Sequence, residues 1–220
     1  MGILGGSFGG YETNCLIGRS DIFAAAYSVA GWSNLTSLVG FEDRNITQRQ
    51  YWSSVPNGQT NLGVNLWERP DLYVANSPIF YADRVKCPVL IWHGRQDPVV
   101  PIEQSIELYR SLQANGKKVW LDAVSGAGHA AAGIGSLNDI KVKQFFGHYL
   151  KDEPAPYWMT RSVLEILEKA LNPYAYDFEI KTPGDGIIPK EKSYTPPVQK
   201  LLSQRTTVDS NGRIINIEIK

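Results

Sequence analysis

The chain has 220 residues, 43% of them apolar, with 22 basic side chains against 22 acidic ones. That length fits one α/β domain plus a tail, and that apolar fraction excludes a disordered chain. Balanced charge excludes the basic footprint of a nucleic-acid or anionic-lipid binder, and no apolar run reaches the ~18 residues of a membrane span. Cys15 and Cys87 lie far apart and outside any C-x-x-C pair, so they read as two buried thiols rather than disulfide or zinc partners. The N-terminus lacks the cationic region and apolar core of a signal peptide, so the chain as written is expected in the cytoplasm. A signal peptide ahead of it would make it periplasmic or secreted.

Residues 1–4 read as a short apolar strand running into Gly5-Gly6-Ser7-Phe8-Gly9-Gly10, and residues 11–19 as a helix with Leu16 and Ile17 on its apolar side. Residues 23–30 (FAAAYSVA) form a near-continuous apolar run, the pattern of a strand covered on both faces. Residues 31–76 are aromatic, polar and broken by Gly and Pro, which predicts an excursion with short helices. Ser77-Pro78 marks a helix start leading to Val85. Residues 89–92 (VLIW) are the next buried strand, followed by the turn His93-Gly94-Arg95-Gln96-Asp97. Residues 101–115 carry Ile102, Ile106, Tyr109 and Leu112 at helical spacing, stopped by Asn115-Gly116. A strand at 119–124, a glycine-containing loop at 125–128 and an amphipathic helix at 138–150 complete the order. Strands alternating with helices predict an α/β fold, a parallel sheet covered on both faces.

Beyond residue 151 prolines punctuate the chain, one helix is expected at 161–171, and Ser210-Asn211-Gly212 predicts a hairpin turn. Residues 153–220 are therefore expected to be a mostly irregular extension docked on the surface, without chemistry of their own.

Gly5-x-Ser7-x-Gly9 fits a nucleophile elbow, in which a serine sits in a strained turn between strand and helix. The flanking glycines are expected because a β-carbon there would collide with the neighbouring strand and helix. The turn sets Ser7 at a helix N-terminus, where the backbone N–H of Phe8 can face a developing oxyanion. A serine hydroxyl needs a base, and the base an orienting carboxylate. Of the three histidines, His148 lies within the amphipathic helix and reads as solvated, and His93 reads as a structural strand-end residue. His129 follows a strand and a small-residue loop, where its imidazole can reach the carboxyl edge of the sheet. Asp97 reaches the same edge, whereas Asp122 is mid-strand and Asp83 and Glu103 lie on or at the start of helices. The chain order Ser7, Asp97, His129 is that of the α/β-hydrolases. Trp32, together with Trp52 and Trp67, is a candidate for lining a substrate pocket, with anchoring of an irregular loop as the alternative. Tyr11 is a second candidate on the elbow helix, with simple packing as its alternative. No nucleotide loop or metal-ligand spacing appears, so neither cofactor nor metal is expected.

Gly5-Gly6-Ser7-Phe8-Gly9-Gly10-Tyr11, Ser77-Pro78-Ile79, Cys87-Pro88-Val89-Leu90-Ile91-Trp92-His93-Gly94-Arg95-Gln96-Asp97, Val100-Pro101-Ile102-Glu103-Gln104 and Gly126-Ala127-Gly128-His129 together resemble one family. Over residues 2–150 the chain is similar to the C-terminal catalytic domain of the prolyl oligopeptidase family of serine peptidases. The resemblance implies an α/β-hydrolase fold, Ser7 as acylated nucleophile, His129 as base, Asp97 as its partner, and a peptide or oligopeptide substrate. Members carry a β-propeller and several sheet strands ahead of the nucleophile, whereas this sequence starts at the elbow strand. Residues 1–152 are therefore expected to form the C-terminal half of a hydrolase domain, with an open parallel edge on the elbow strand. The second oxyanion donor would be missing, at a cost of about 10²–10³ in rate. Activity of the isolated chain is expected to be poor unless a partner chain or the tail covers that edge. An esterase and an inactive fragment are the competing readings.

Overall fold

A computed structural model describes residues 1–39, 59–129, 137–178, 205–208 and 214–218. Four parallel strands lie side by side in chain order: β1 (Gly2–Gly6), β2 (Ala25–Val29), β3 (Val89–Gly94) and β4 (Val119–Val124). Gly6 pairs with Val29, Val29 with Trp92, and Trp92 with Asp122, so the carboxyl ends of the strands are level. Helix α1 (Phe8–Ile17) joins β1 to β2. The longer β2–β3 connection holds α2 (Leu35–Leu38), α3 (Pro70–Ala75) and a 3₁₀ helix (Pro78–Arg84). Helix α4 (Ile102–Ala114) joins β3 to β4, and α5 (Leu137–Lys151) follows β4.

Alternation along β3 sends Val89 and Ile91 to one face and Leu90 to the other, which is why its unbroken apolar run is wholly buried. On the first face Val89, Ile91 and Ala26 meet Ile17 of α1, Ala82 and Val85 of the 3₁₀ turn, and Leu108 and Leu112 of α4. On the second, Leu90 and Ala25 meet Phe145 of α5 and Met159, with Trp120, Tyr149 and Trp158 packed around them. Full burial of one such side chain stabilises by about 1.5–3 kcal/mol.

Helix α6 (Tyr157–Thr160) and α7 (Val163–Glu168) follow. The helix expected at 161–171 is confined to α7, because Arg161 is extended, Ser162 caps the N-terminus through Glu165 N–H, and Ala170 takes a positive φ of 48°. This stretch is more than a surface appendage. Met159 is 3% exposed within the second core cluster, and Trp158 lies edge-on to Trp120 and donates its indole N–H to Gln144 Oε1 at 2.9 Å. Asp177, fully buried, accepts hydrogen bonds from Thr160 Oγ1 at 2.8 Å and Arg161 Nε at 2.7 Å.

Contacts divide the chain into Met1–Ile188 and Pro189–Lys220. The second unit contains β5 (Arg205–Val208) paired antiparallel with β6 (Ile214–Glu218), with Arg205 opposite Glu218. The turn expected at Ser210-Asn211-Gly212 lies outside the described residues, as does Trp52. Within the first sheet β1 pairs on one side with β2, and among the described residues no strand pairs with its other edge, where Leu4 is 67% exposed. No helix among the described residues is long and apolar enough to cross a membrane.

Candidate active site

Ser7 stands between β1 and α1 with φ 56° and ψ −121°, a left-handed backbone that a non-glycine residue adopts only when its surroundings force it. Its N–H donates to the Val29 carbonyl at 2.8 Å, and its own carbonyl accepts from Tyr11 N–H at 3.1 Å, which ties the turn to both β2 and α1. A β-carbon on Gly5 would lie 2.1 Å from the Gly9 carbonyl oxygen, and one on Gly10 would lie 2.7 Å from the Val29 carbonyl oxygen. Gly9 differs from expectation: a β-carbon there meets nothing within 4 Å, so the steric demand falls on Gly5 and Gly10 instead. Phe8 is the first residue of α1, and its N–H is one of the donors that a helix leaves without an intrahelical acceptor.

Ser7 Oγ lies 2.8 Å from His129 Nε2, and His129 Nδ1 lies 2.8 Å from Asp97 Oδ2. An ionised carboxylate only accepts, so Nδ1 carries the ring proton and Nε2 is left bare to accept from the serine hydroxyl. The His129 side chain is 21% exposed, whereas that of Asp97 is fully buried. Burial alone would raise the Asp97 carboxyl. Hydrogen bonds from His129, His93 and the N–H groups of Val100 and Val99 outweigh it and hold the group well below the usual carboxylate range.

The loops bearing Asp97 and His129 are laced together. Gln96 N–H donates to the Ala127 carbonyl at 3.0 Å and Arg95 N–H to the Val124 carbonyl at 2.9 Å, while the Gln96 side chain accepts from Gly126 N–H. Gly94, by its close approach to the Ala127 carbonyl, and Gln96, by these hydrogen bonds, thus hold the two loops together. The sign of it was the Gly-x-Gln-Asp spacing alone.

Asp122 makes an ion pair with Lys141 at 3.0 Å, away from this cluster. The sequence pattern of the prolyl oligopeptidase family matches residues 1–153. The chain belongs to that family. It is 33% identical over 129 residues to an uncharacterized peptidase of Bacillus subtilis, covering 59% of this chain and 18% of that one. It is 30% identical over 145 residues to the acylamino-acid-releasing enzyme of Rattus norvegicus, covering 63% of this chain and 19% of that enzyme. The puromycin-hydrolyzing peptidase of Mycobacterium tuberculosis superposes with a TM-score of 0.59 at 32% identity, over 70% of this chain and 22% of that one. The chain thus spans about a fifth of the length of the curated relatives it matches, and its sheet is of the α/β-hydrolase type.

The other candidate residues of this prolyl oligopeptidase family member take different places in the fold. Phe8, Tyr11 and Trp32 form an aromatic cluster with ring centroids 5.5–6.0 Å apart. Trp32 is 4% exposed and Tyr11 9%, so both back the Phe8 ring rather than open onto solvent. Burial raises the Tyr11 phenol, which stays protonated and donates to the Asn76 carbonyl at 2.8 Å. Trp67 lies largely in solvent. His148 is a correction: it is 5% exposed, not solvated, and donates from Nδ1 to the Glu153 carbonyl at 2.7 Å. The chain folds back after α5 and closes over that ring, which helical periodicity alone could not show. His93 is fully buried at the end of β3, as expected of a structural residue, but its Nε2 also stands 3.1 Å from Asp97 Oδ2.

Proposed function

We propose that this chain hydrolyses peptide bonds through an acyl-enzyme formed on Ser7. The hydrogen-bonded run from Ser7 Oγ through His129 to Asp97 carries this reading. His129 Nε2 takes the hydroxyl proton as Oγ attacks the scissile carbonyl, and the Phe8 N–H stabilises the oxyanion. The imidazolium then passes the proton to the leaving amine, the C–N bond breaks, and an ester to Ser7 remains. Water repeats the sequence with His129 again as base, releasing the acid and restoring the hydroxyl. Asp97 stays ionised throughout and stabilises the imidazolium. Tyr11 and Trp32 shape the substrate side of the site through Phe8. The named relatives, a peptidase, an acylamino-acid-releasing enzyme and a puromycin-hydrolyzing peptidase, support a substrate with an acyl–nitrogen bond.

Fluorophosphonate labelling with Ser7→Ala as control tests the nucleophile, and a panel of p-nitroanilide and p-nitrophenyl substrates tests the bond. Labelling at Ser7 with anilide turnover is expected. Ester turnover alone would make the chain an esterase, and no labelling of the folded chain would make it inactive.

A further inference from the structure

Four N–H groups face the carboxylate of Asp97, and only two come from its own loop. Oδ1 accepts from Val99 N–H at 2.8 Å and Val100 N–H at 2.9 Å. Oδ2 accepts from His129 Nδ1 at 2.8 Å and faces His93 Nε2 at 3.1 Å. His93 Nε2 also lies 2.9 Å from the Val100 carbonyl, while its Nδ1 lies 2.6 Å from Ser105 Oγ on α4. Both groups facing Nε2 can only accept, so the ring proton sits on Nε2. The bare Nδ1 then accepts from the Ser105 hydroxyl. A neutral imidazole in that tautomer satisfies both nitrogens, which a fully buried ring requires. Val100 is bracketed: its N–H serves Asp97 and its carbonyl serves His93. Strand β3, the Asp97 loop and α4 are thereby locked around one carboxylate oxygen.

We propose that His93, held in its tautomer by Ser105, is a positioning residue for Asp97, sharing Oδ2 with His129 and fixing the direction in which that oxygen points. The inference rests on the reading of Ser7, His129 and Asp97 as the acyl-transfer site. Among the described residues, the ionisable side chains facing Asp97 are His93 from β3 and His129 from the loop after β4; α4 contributes the uncharged Ser105 to the His93 ring. Removing the His93 donor leaves the carboxylate both less constrained and more attractive to a proton on His129. The rate should therefore fall, while the pH needed to free the base should rise.

The experiment uses the full chain labelled with [¹⁵N]histidine. Its His93 signals, assigned by their loss in His93→Asn, are expected to report an Nε2–H tautomer. In His93→Asn, whose shorter side chain cannot reach Oδ2, the Nδ1–H proton resonance of His129 is expected to shift or broaden away. His93→Gln, whose amide nitrogen can stand near the Nε2 position, should restore it. Fluorophosphonate labelling should slow about tenfold or more in His93→Asn, the scale of one hydrogen bond to a charged group. Its pH midpoint should rise by about half a unit to one unit, and Ser105→Ala should move both in the same direction by less. An Nδ1–H tautomer at His93, or an unchanged His129 resonance in a folded His93→Asn chain, overturns the proposal whether or not the wild type labels. Failure of the wild type to label at Ser7, with the resonance still dependent on residue 93, instead overturns the hydrolase reading and leaves the positioning contact standing.

Discussion

Gly94 and Ala127 approach so closely that a β-carbon on the glycine would lie 2.3 Å from the alanine carbonyl oxygen. The Gly128 carbonyl oxygen would be 2.5 Å away. Both contacts are with backbone, which cannot rotate aside as a flexible side chain would. Gly94→Ala is therefore expected to push the His129 loop away from Asp97, with a loss of about 1–3 kcal/mol in stability. Labelling of Ser7 should slow by about tenfold or more in chains that remain folded, since a small misplacement of the base weakens proton transfer steeply. Urea denaturation and the labelling rate, measured on the same preparation, check both parts.

Asp97→Asn keeps the side-chain volume but removes the charge and allows an amide to face His129. The imidazole then loses the partner that holds its proton on Nδ1. A loss of about 10⁴ in acylation rate is expected, the size seen when a serine protease of another fold undergoes the same change. Rates on an activated anilide substrate, with Ser7→Ala as the floor, measure it. A loss below tenfold would show that the carboxylate does not orient the base.

Stability should respond to acid through the same group. The Asp97 carboxyl sits below its ordinary value in the folded chain and near ~3.9 when unfolded. A depressed value means that the unfolded state takes up the proton first. Its contribution is therefore complete above about pH 5 and declines as the pH falls below about 4. The stability gap between wild type and Asp97→Asn, followed by urea denaturation at stepped pH, is expected to narrow over that acid range. A gap that stays constant from pH 5 to 3 contradicts the assignment.

The two thiols should differ in reactivity. Burial pushes the Cys87 thiol up to about 11 and raises Cys15 as well, and Cys15 is only half buried. Thiolate is the reactive form, so both should react slowly with a disulfide reagent in the native chain, Cys15 ahead of Cys87. Urea should bring both to the rate of an ordinary free cysteine. Equal native rates would mean that Cys87 is less enclosed than its 7% exposure indicates.

Met159→Ala tests whether residues 155–178 belong to the hydrolase core. The side chain is 3% exposed beside Leu90 and Phe145. Truncation of a buried methionine typically costs about 2–5 kcal/mol, and a loss of that size is expected in urea denaturation. A change below ~0.5 kcal/mol, the range of a surface substitution, would return this segment to the status of a surface attachment.

The sequence alone carried the order of the strands, the burial of β3 on both faces, and the neighbourhood of Ser7, Asp97 and His129. Those features are written in local terms. An apolar run such as Val89 to Trp92 reports its own burial, and residues that follow parallel strands arrive at the same edge of the sheet whatever lies between them. Other relationships needed the folded chain. Asp97 and His93 are four residues apart, yet their meeting depends on how the loop turns around Val100 and on Ser105 arriving from another helix. Gly94 is demanding only because a carbonyl thirty-three positions later crosses above it, whereas Gly9, embedded in the recognised motif, faces open space. His148 and Met159 are buried by a reversal of the chain, which leaves no period in the sequence. Pattern and propensity describe a residue's own segment; which atoms stand within 3 Å across segments is set by packing, and only the tertiary structure contains it.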